Sequence, residues 1–310
     1  MADINWYPGH MHKASKEMRQ IIPQVDLIIE VIDARIPFSS QNPMLAEIRG
    51  DKPCIKVLSK SDLADPVLTK QWQDYFEQEE NVKTIALTTE QPEKMRDLLD
   101  LCHKMVPKQD SASSANRLQA MIMGIPNVGK STLINTLAGR MIAKTGNEPA
   151  VTKMQQRIKL DHGIVLLDTP GVLWPKLENR HGGYRLAITG AIKETAVSND
   201  DIAMYAADYF RIQYPELLKE RYQLDDLPID EMSLLNLIGM KRGCLRAGGM
   251  VDLDRAAKIL LTEFRDATIG LISLETPEMI EKELIEMLII REEKAAKKAA
   301  RKQKKHSSRS

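Results

Sequence analysis

A chain of 310 residues with 43% hydrophobic and 28% charged content can build about two packed domains, which excludes fibrous and largely disordered classes. No run of eighteen apolar residues occurs, and the start MADINWYPGHMHK lacks the succession of a secretion signal, so the expected location is the cytosol. The formal charge of +1 hides a basic end: residues 291–310 hold nine Lys or Arg against two Glu, a balance of +7, which leaves −6 on residues 1–290.

In chain order, VDLIIEVIDA (25–34), PCIKVLS (53–59) and VKTIALT (82–88) read as strands, the first two apolar enough to be buried on both faces. Between them, DPVLTKQWQDYFEQ has helical spacing, with Val67, Trp72 and Phe76 expected on one face. This alternation is the βαβ rhythm of a doubly wound, mostly parallel sheet. After a polar loop at 106–117, LQAMIMG supplies a further strand, and QQRIKLD with GIVLLDTPG reads as a hairpin turning at HG. From about residue 195 amphipathic helices take over. Ile202, Tyr205, Ala206, Tyr209 and Phe210 share one stripe, and Leu253, Ala256, Ala257, Leu260, Leu261 and Phe264 share another. The turn GMKRGCLRAGGMVD sets Lys241, Arg242 and Arg246 among glycines as a candidate basic knuckle. Cys54, Cys102 and Cys244 have no metal or disulfide spacing and are expected as buried small apolar residues.

The chemistry is concentrated in three motifs. GIPNVGKST (124–132) matches GxxxxGK[ST] after a strand and before a helix. Its glycines let backbone N–H groups around Asn127, Val128 and Gly129 curl about phosphate oxygens at a helix N-terminus. Lys130 would reach the β- and γ-phosphates, the hydroxyl of Ser131 would ligate Mg²⁺, and Thr132 completes the motif. In LLDTPG, Asp168 would hold Mg²⁺ through water and the N–H of Gly171 would sense the γ-phosphate. Thr152, in the turn-rich segment between, is the natural candidate for a further Mg²⁺ hydroxyl, ahead of the reading as a surface loop residue. The third motif is VLSKSDL, where Asp62 can accept two hydrogen bonds from guanine, a pairing adenine does not offer. There Lys60 would lie over the base after Ser59, and Ala86–Thr89 could give a backbone N–H to the guanine oxygen. An ATPase is disfavoured by Asp62.

This base motif precedes the phosphate loop by about seventy residues, the reverse of the ordinary GTPase order. A doubly wound sheet permits the reversal, because the site needs its strands in the right spatial order and not a particular chain start. The sequence here resembles the circularly permuted GTPases and, within them, the ribosome biogenesis GTPase A (YlqF-type) family. The resemblance runs over residues 4–285 through WYPGHM, DARIP, GIPNVGKSTLIN, AKTG, DTPGVLWPK, TGAI and KRGCL. It implies a bacterial GTPase that binds immature large ribosomal subunits and helps their late maturation, with the helical domain on ribosomal RNA. It also implies that His10 of PGHM helps the attacking water, since Val172 stands where other GTPases carry a water-orienting glutamine, and that Asn127 coordinates an activating K⁺. From the residues alone His10 is equally a structural loop residue.

Two departures from the family stand out. Ser59 replaces the usual asparagine and is expected to weaken the brace between base site and phosphate loop, and Ala150 replaces a glycine in PAVT. The expected organisation is a circularly permuted GTPase domain over 1–190, a helical RNA- or ribosome-binding domain over 191–290, and a basic disordered tail over 291–310. For that tail a solvated extension and a contact to nucleic-acid phosphates remain open. The expected function is a monomeric GTP-hydrolysing assembly factor stimulated by the ribosomal particle. An RNA-binding module with nucleotide as a structural ligand is the alternative.

Overall fold

The computed structural model describes residues 10–88, 91, 93–106, 117–143, 156–171, 179–192 and 198–307. Its centre is a six-stranded sheet of order β3-β2-β1-β4-β6-β5. The strands are β1 (Leu27–Asp33), β2 (Cys54–Ser59), β3 (Val82–Ala86), β4 (Leu118–Met123), β5 (Gln156–Lys159) and β6 (Ile164–Asp168). All neighbours pair in parallel except β5 with β6. Every residue of β1 and β2 is buried, as befits central strands, with Glu30 and Lys56 paired to each other at 2.7 Å within them, whereas the edge strand β5 buries only Ile158. The β5–β6 pair is the expected hairpin, and its turn places His162 and Gly163 at φ 65° and 76°.

The chain runs outward from β1 through β2 to β3 and then returns to the other side of β1 as β4. That reversal opens a crevice at the carboxyl ends of β1 and β4, where doubly wound sheets bind ligands. The covering helices include α1 (His10–Ile21), α2 (Pro43–Arg49), α3 (Pro66–Phe76), α4 (Lys94–Met105), α5 (Lys130–Ala138) and α6 (Arg180–Ile188). Asp65 starts α3 by accepting from the N–H groups of Val67 and Leu68, and Asn179 starts α6 by accepting from Gly182. The buried face of α3 is Thr69, Trp72 and Phe76, while Val67 is 65% exposed, contrary to its expected place. Five residues separate Val67 from Trp72, about 140° around a helix, so only the i, i+3, i+7 set can face the sheet.

The helical part consists of α7 (Asn199–Gln213), α8 (Pro215–Tyr222), α9 (Glu231–Lys241) and α10 (Leu253–Arg265). Both expected stripes point inward: Ile202, Ala206 and Phe210 of α7 meet Ala257, Leu260, Leu261 and Phe264 of α10 in a core continuous with that of the sheet. Gly239 lets α9 approach closely, since a Cβ there would lie 2.3 Å from Val251 Cγ1. The three cysteines are buried and free.

After α10 the chain turns back onto the sheet domain. The Leu274 N–H donates to the Arg35 carbonyl (2.8 Å) and the indole of Trp72 donates to the Glu275 carbonyl (3.0 Å). The last helix, α11 (Pro277–Ser307), corrects the expectation of a disordered tail from 291. Ala, Lys, Arg, Gln and Glu dominate REEKAAKKAARKQ, and these are the strongest helix formers, so a helix begun at Pro277 continues through them. No described helix is long and apolar enough to cross a membrane.

Candidate functional site

Each loop of the site leaves the carboxyl end of a strand. From β4 the chain enters the phosphate loop at Gly124, where a Cβ would lie 2.6 Å from the Val31 carbonyl oxygen, so only glycine packs against β1 here. Asn127 and Gly129 take left-handed conformations at φ 61° and 89°, and α5 then begins at Lys130, followed in its first turn by Ser131 and Thr132. This is the local geometry that turns backbone N–H groups and a helix N-terminus toward an anion.

Across the crevice, β6 ends in Asp168, which is fully buried. Its Oδ1 receives the ammonium of Lys130, while its Oδ2 is buried without a hydrogen-bond partner. Burial lowers the pKa of Lys130, and the neighbouring Asp168 carboxylate opposes that shift. A buried carboxylate oxygen left unpaired is costly, and an oxygen donor is what Mg²⁺ binds. The unpaired Asp168 oxygen therefore suits a magnesium ion, for which Ser131 in the first turn of α5 would be a further oxygen donor and which would supply positive charge to the phosphate oxygens. Three residues on, Gly171 passes so close to the phosphate loop that a Cβ would lie 3.1 Å from Pro126 N and 3.2 Å from Pro126 Cα.

The base motif joins this site from β2. The Ser59 hydroxyl lies 2.8 Å from the Ile32 carbonyl and 2.5 Å from the Val128 carbonyl of the phosphate loop. Having one proton, it donates to one of the two at a time. The short side chain of Ser59 itself joins β2 to β1 and to the phosphate loop. Lys60 takes a left-handed conformation (φ 55°) and its ammonium donates to the Asn127 carbonyl (2.7 Å) and to Asp33 Oδ2 (2.9 Å). Two non-glycine residues at positive φ thus face each other across the crevice, the kind of strain that collects at working sites. Asp62 follows in a half-buried single turn, which the Ser61 N–H ties to the Leu87 carbonyl at the end of β3 (3.4 Å).

Several site residues carried no signal in isolation. Asp33 accepts from the backbone N–H and Nε of Arg35 (both 3.0 Å) and from its terminal nitrogen (2.8 Å) as well as from Lys60. Burial alone would raise its pKa, but Arg35 and Lys60 hold this carboxyl well below the usual range. Arg185 on α6, buried, reaches Glu283 on α11 (3.0 Å) and Glu275 (3.7 Å). Glu275 also accepts from the N–H (2.9 Å) and hydroxyl (3.1 Å) of Ser39, and burial raises its pKa to about 7 against the pull of Arg185 and Ser39. Of the expected site residues, Thr152 lies outside the described residues, as do Thr89, Ala150 and Val172. His10 opens α1, with its side chain outside the description.

A doubly wound sheet that presents a phosphate loop after β4, a buried aspartate at the end of β6 and the SKSD turn after β2, the last coming first in the chain, defines a circularly permuted P-loop GTPase. Residues 119–232 match the family described as 50S ribosome-binding GTPase. A ribosome biogenesis GTPase A from Priestia megaterium is 44% identical over 287 residues, covering 91% of this chain and 99% of the relative. Another from Bacillus cereus is 45% identical over 280 residues, covering 89% and 94%. Among solved structures, GNP-bound YlqF from T. maritima is similar at TM-score 0.60 and 26% identity, over 86% of this chain and 99% of that one. The chain belongs to the ribosome biogenesis GTPase A family.

Proposed function

We propose that this chain hydrolyses GTP as an assembly factor in late maturation of the large ribosomal subunit, working as a monomer in the cytosol. The observation that carries the site reading is the Lys60 ammonium, which joins the base turn to the Asn127 carbonyl of the phosphate loop at 2.7 Å. It makes one nucleotide crevice of two segments about seventy residues apart. The ribosomal role is supported by the relatives, which are named as ribosome biogenesis GTPases.

In this reading Asp62 selects guanine through its carboxylate, Lys60 lies along the base, and backbone N–H groups of Asn127, Val128, Gly129, Lys130, Ser131 and Thr132 hold the phosphates. Gly171 reports the γ-phosphate. Ser131, Asp168 and Thr152 hold Mg²⁺, and Asn127 holds an activating K⁺. His10 orients the attacking water once the particle is bound, a role an apolar Val172 does not fill. The helical domain and the basic segment after residue 291 contact rRNA of the large-subunit precursor, where clustered Lys and Arg gain affinity by counterion release.

The test is steady-state GTP hydrolysis in potassium buffer with and without purified bacterial large ribosomal subunits. A rise of about ten-fold or more, of the kind a partner produces when it completes a GTPase site, supports the proposal. No rise, with binding to the same subunits that ignores the nucleotide, replaces it with an RNA-binding module.

A further inference from the structure

Asn127 is held twice, and both holds lead to the same residue of the helical part. Its side-chain amide donates to the Gly190 carbonyl (3.1 Å). Gly190, at φ 75°, follows the carboxyl end of α6, where the guanidinium of Arg265 donates to the carbonyls of Ile188 (2.8 Å) and Ala187 (3.0 Å). The Arg265 side chain also packs on Gly190 itself: a Cβ there would lie 3.6 Å from its Nε.

The second hold is on the backbone. The Asn127 carbonyl takes the Lys60 ammonium (2.7 Å), Lys60 is paired to Asp33 (2.9 Å), and Asp33 is paired to Arg35 (2.8 Å). The free end of Arg35 donates to the carbonyl of Arg265 (3.3 Å), with its guanidinium 5.3 Å from the ring centroid of Phe264. A closed ring of polar contacts therefore runs from the phosphate loop through α6 to the last residue of α10, and back through β1 and the base turn.

We propose that Arg265 is a positioning residue for the nucleotide site, which fixes the Asn127 carboxamide by bracing the Ala187–Gly190 turn and so couples loads on the helical part to the hold on nucleotide. The physical reason is reach. A guanidinium offers several donors in a rigid fork, so one side chain fastens two carbonyls of the turn while its backbone carbonyl anchors the other arm. The inference rests on residues 124–132 being the phosphate loop, and the experiment separates the two.

The measurement is the dissociation rate of a fluorescent GDP from the full chain, for Arg265→Ala, Asn127→Ala and the double variant, with thermal midpoints recorded for each. Arg265→Ala should speed dissociation about ten-fold, on the scale of losing hydrogen bonds to a held loop. Because Arg265 acts through Asn127, the double variant should be little faster than Asn127→Ala. Arg221→Ala removes another arginine of the helical part, one bonded to Glu263 at 2.7 and 3.1 Å. It should cost comparable thermal stability and leave the rate unchanged, which a merely structural role for Arg265 would not distinguish. If Arg265→Ala does not fold, Arg265→Lys carries the test, with a smaller acceleration expected because the fork is lost and the charge kept. An unchanged rate in the Arg265 variants, or effects that simply multiply in the double variant, overturns the proposal. An unchanged rate in Asn127→Ala likewise overturns the proposal, whereas a native chain that binds no GDP overturns the phosphate-loop reading beneath it.

Discussion

Two lysine–aspartate pairs stand at the carboxyl ends of the sheet, and they differ in what is left over. In the base half, Asp33 spends both oxygens on Arg35 and Lys60, and Lys60 has a second acceptor in the Asn127 carbonyl. In the phosphate half, Asp168 gives one oxygen to Lys130 and keeps the other buried and unpaired. A closed pair of this kind is scaffold, since every charge has its partner before any ligand arrives. An open pair is a place where a cation and an anionic phosphate each improve on what the protein supplies alone. The contrast sets a firmly held SKSD turn beside a phosphate loop whose buried aspartate is ready to change partners.

The comparison breaks most severely at the closed pair. Asp33→Asn leaves Arg35 buried without its counter-charge, and removing one partner of such a pair costs about 3–5 kcal/mol. A denaturant titration should show a loss of that order, and a loss below about 1 kcal/mol would mean that the pair is not scaffold. Lys130→Ala strikes the open pair and should act on chemistry. GTP hydrolysis should fall on the order of 10²–10³-fold, as when one preorganised donor to developing charge is removed, with a smaller shift in unfolding midpoint than Asp33→Asn gives.

A third acid sharpens the contrast because burial is not fully offset there. Glu275 has its pKa raised to about 7, so the folded state holds this proton more tightly than the unfolded chain. Its contribution to stability is full below the ordinary glutamate value of about 4.3 and is lost as pH rises through about 7. Glu275→Gln should remove that component, flattening the fall in stability between pH 5 and 8 by no more than about 3 kcal/mol. An unaltered pH profile would place the titration elsewhere.

The sequence-local parts of this architecture were legible. The apolar runs of β1 and β2, the phosphate loop, the HG hairpin and the stripes of α7 and α10 each announce themselves within about a dozen residues, because period and turn chemistry are local properties. The polar ties between distant segments were not. Arg185 and Glu283 are 98 positions apart, and Arg35 and Arg265 are 230 apart, so no spacing rule connects them. Asp33 and Arg35 were visible as part of the DARIP motif at the end of an apolar run, without any sign of their partners Lys60 and Arg265, and Glu275 as one acid among many. Val67 falls off the buried face because it lies about 140° around the helix from Trp72, and shared apolarity without a shared angle does not make a face. The helix from 291 is hidden in the charge pattern, since a run of Lys and Arg suits a solvated chain as well as a helix, and shows only in the helix propensity of its residues.

The central claim is that SKSD, although it comes first in the chain, reads the base of the nucleotide held by residues 124–132. It is tested most directly by Asp62→Asn, with affinities measured for guanosine and xanthosine triphosphates. Xanthine carries a carbonyl where guanine carries its exocyclic amine, so a carboxamide at position 62 should favour it and reverse the preference of the native chain. A variant that binds both as the native protein does would show that Asp62 does not face the base and would contradict the permuted site.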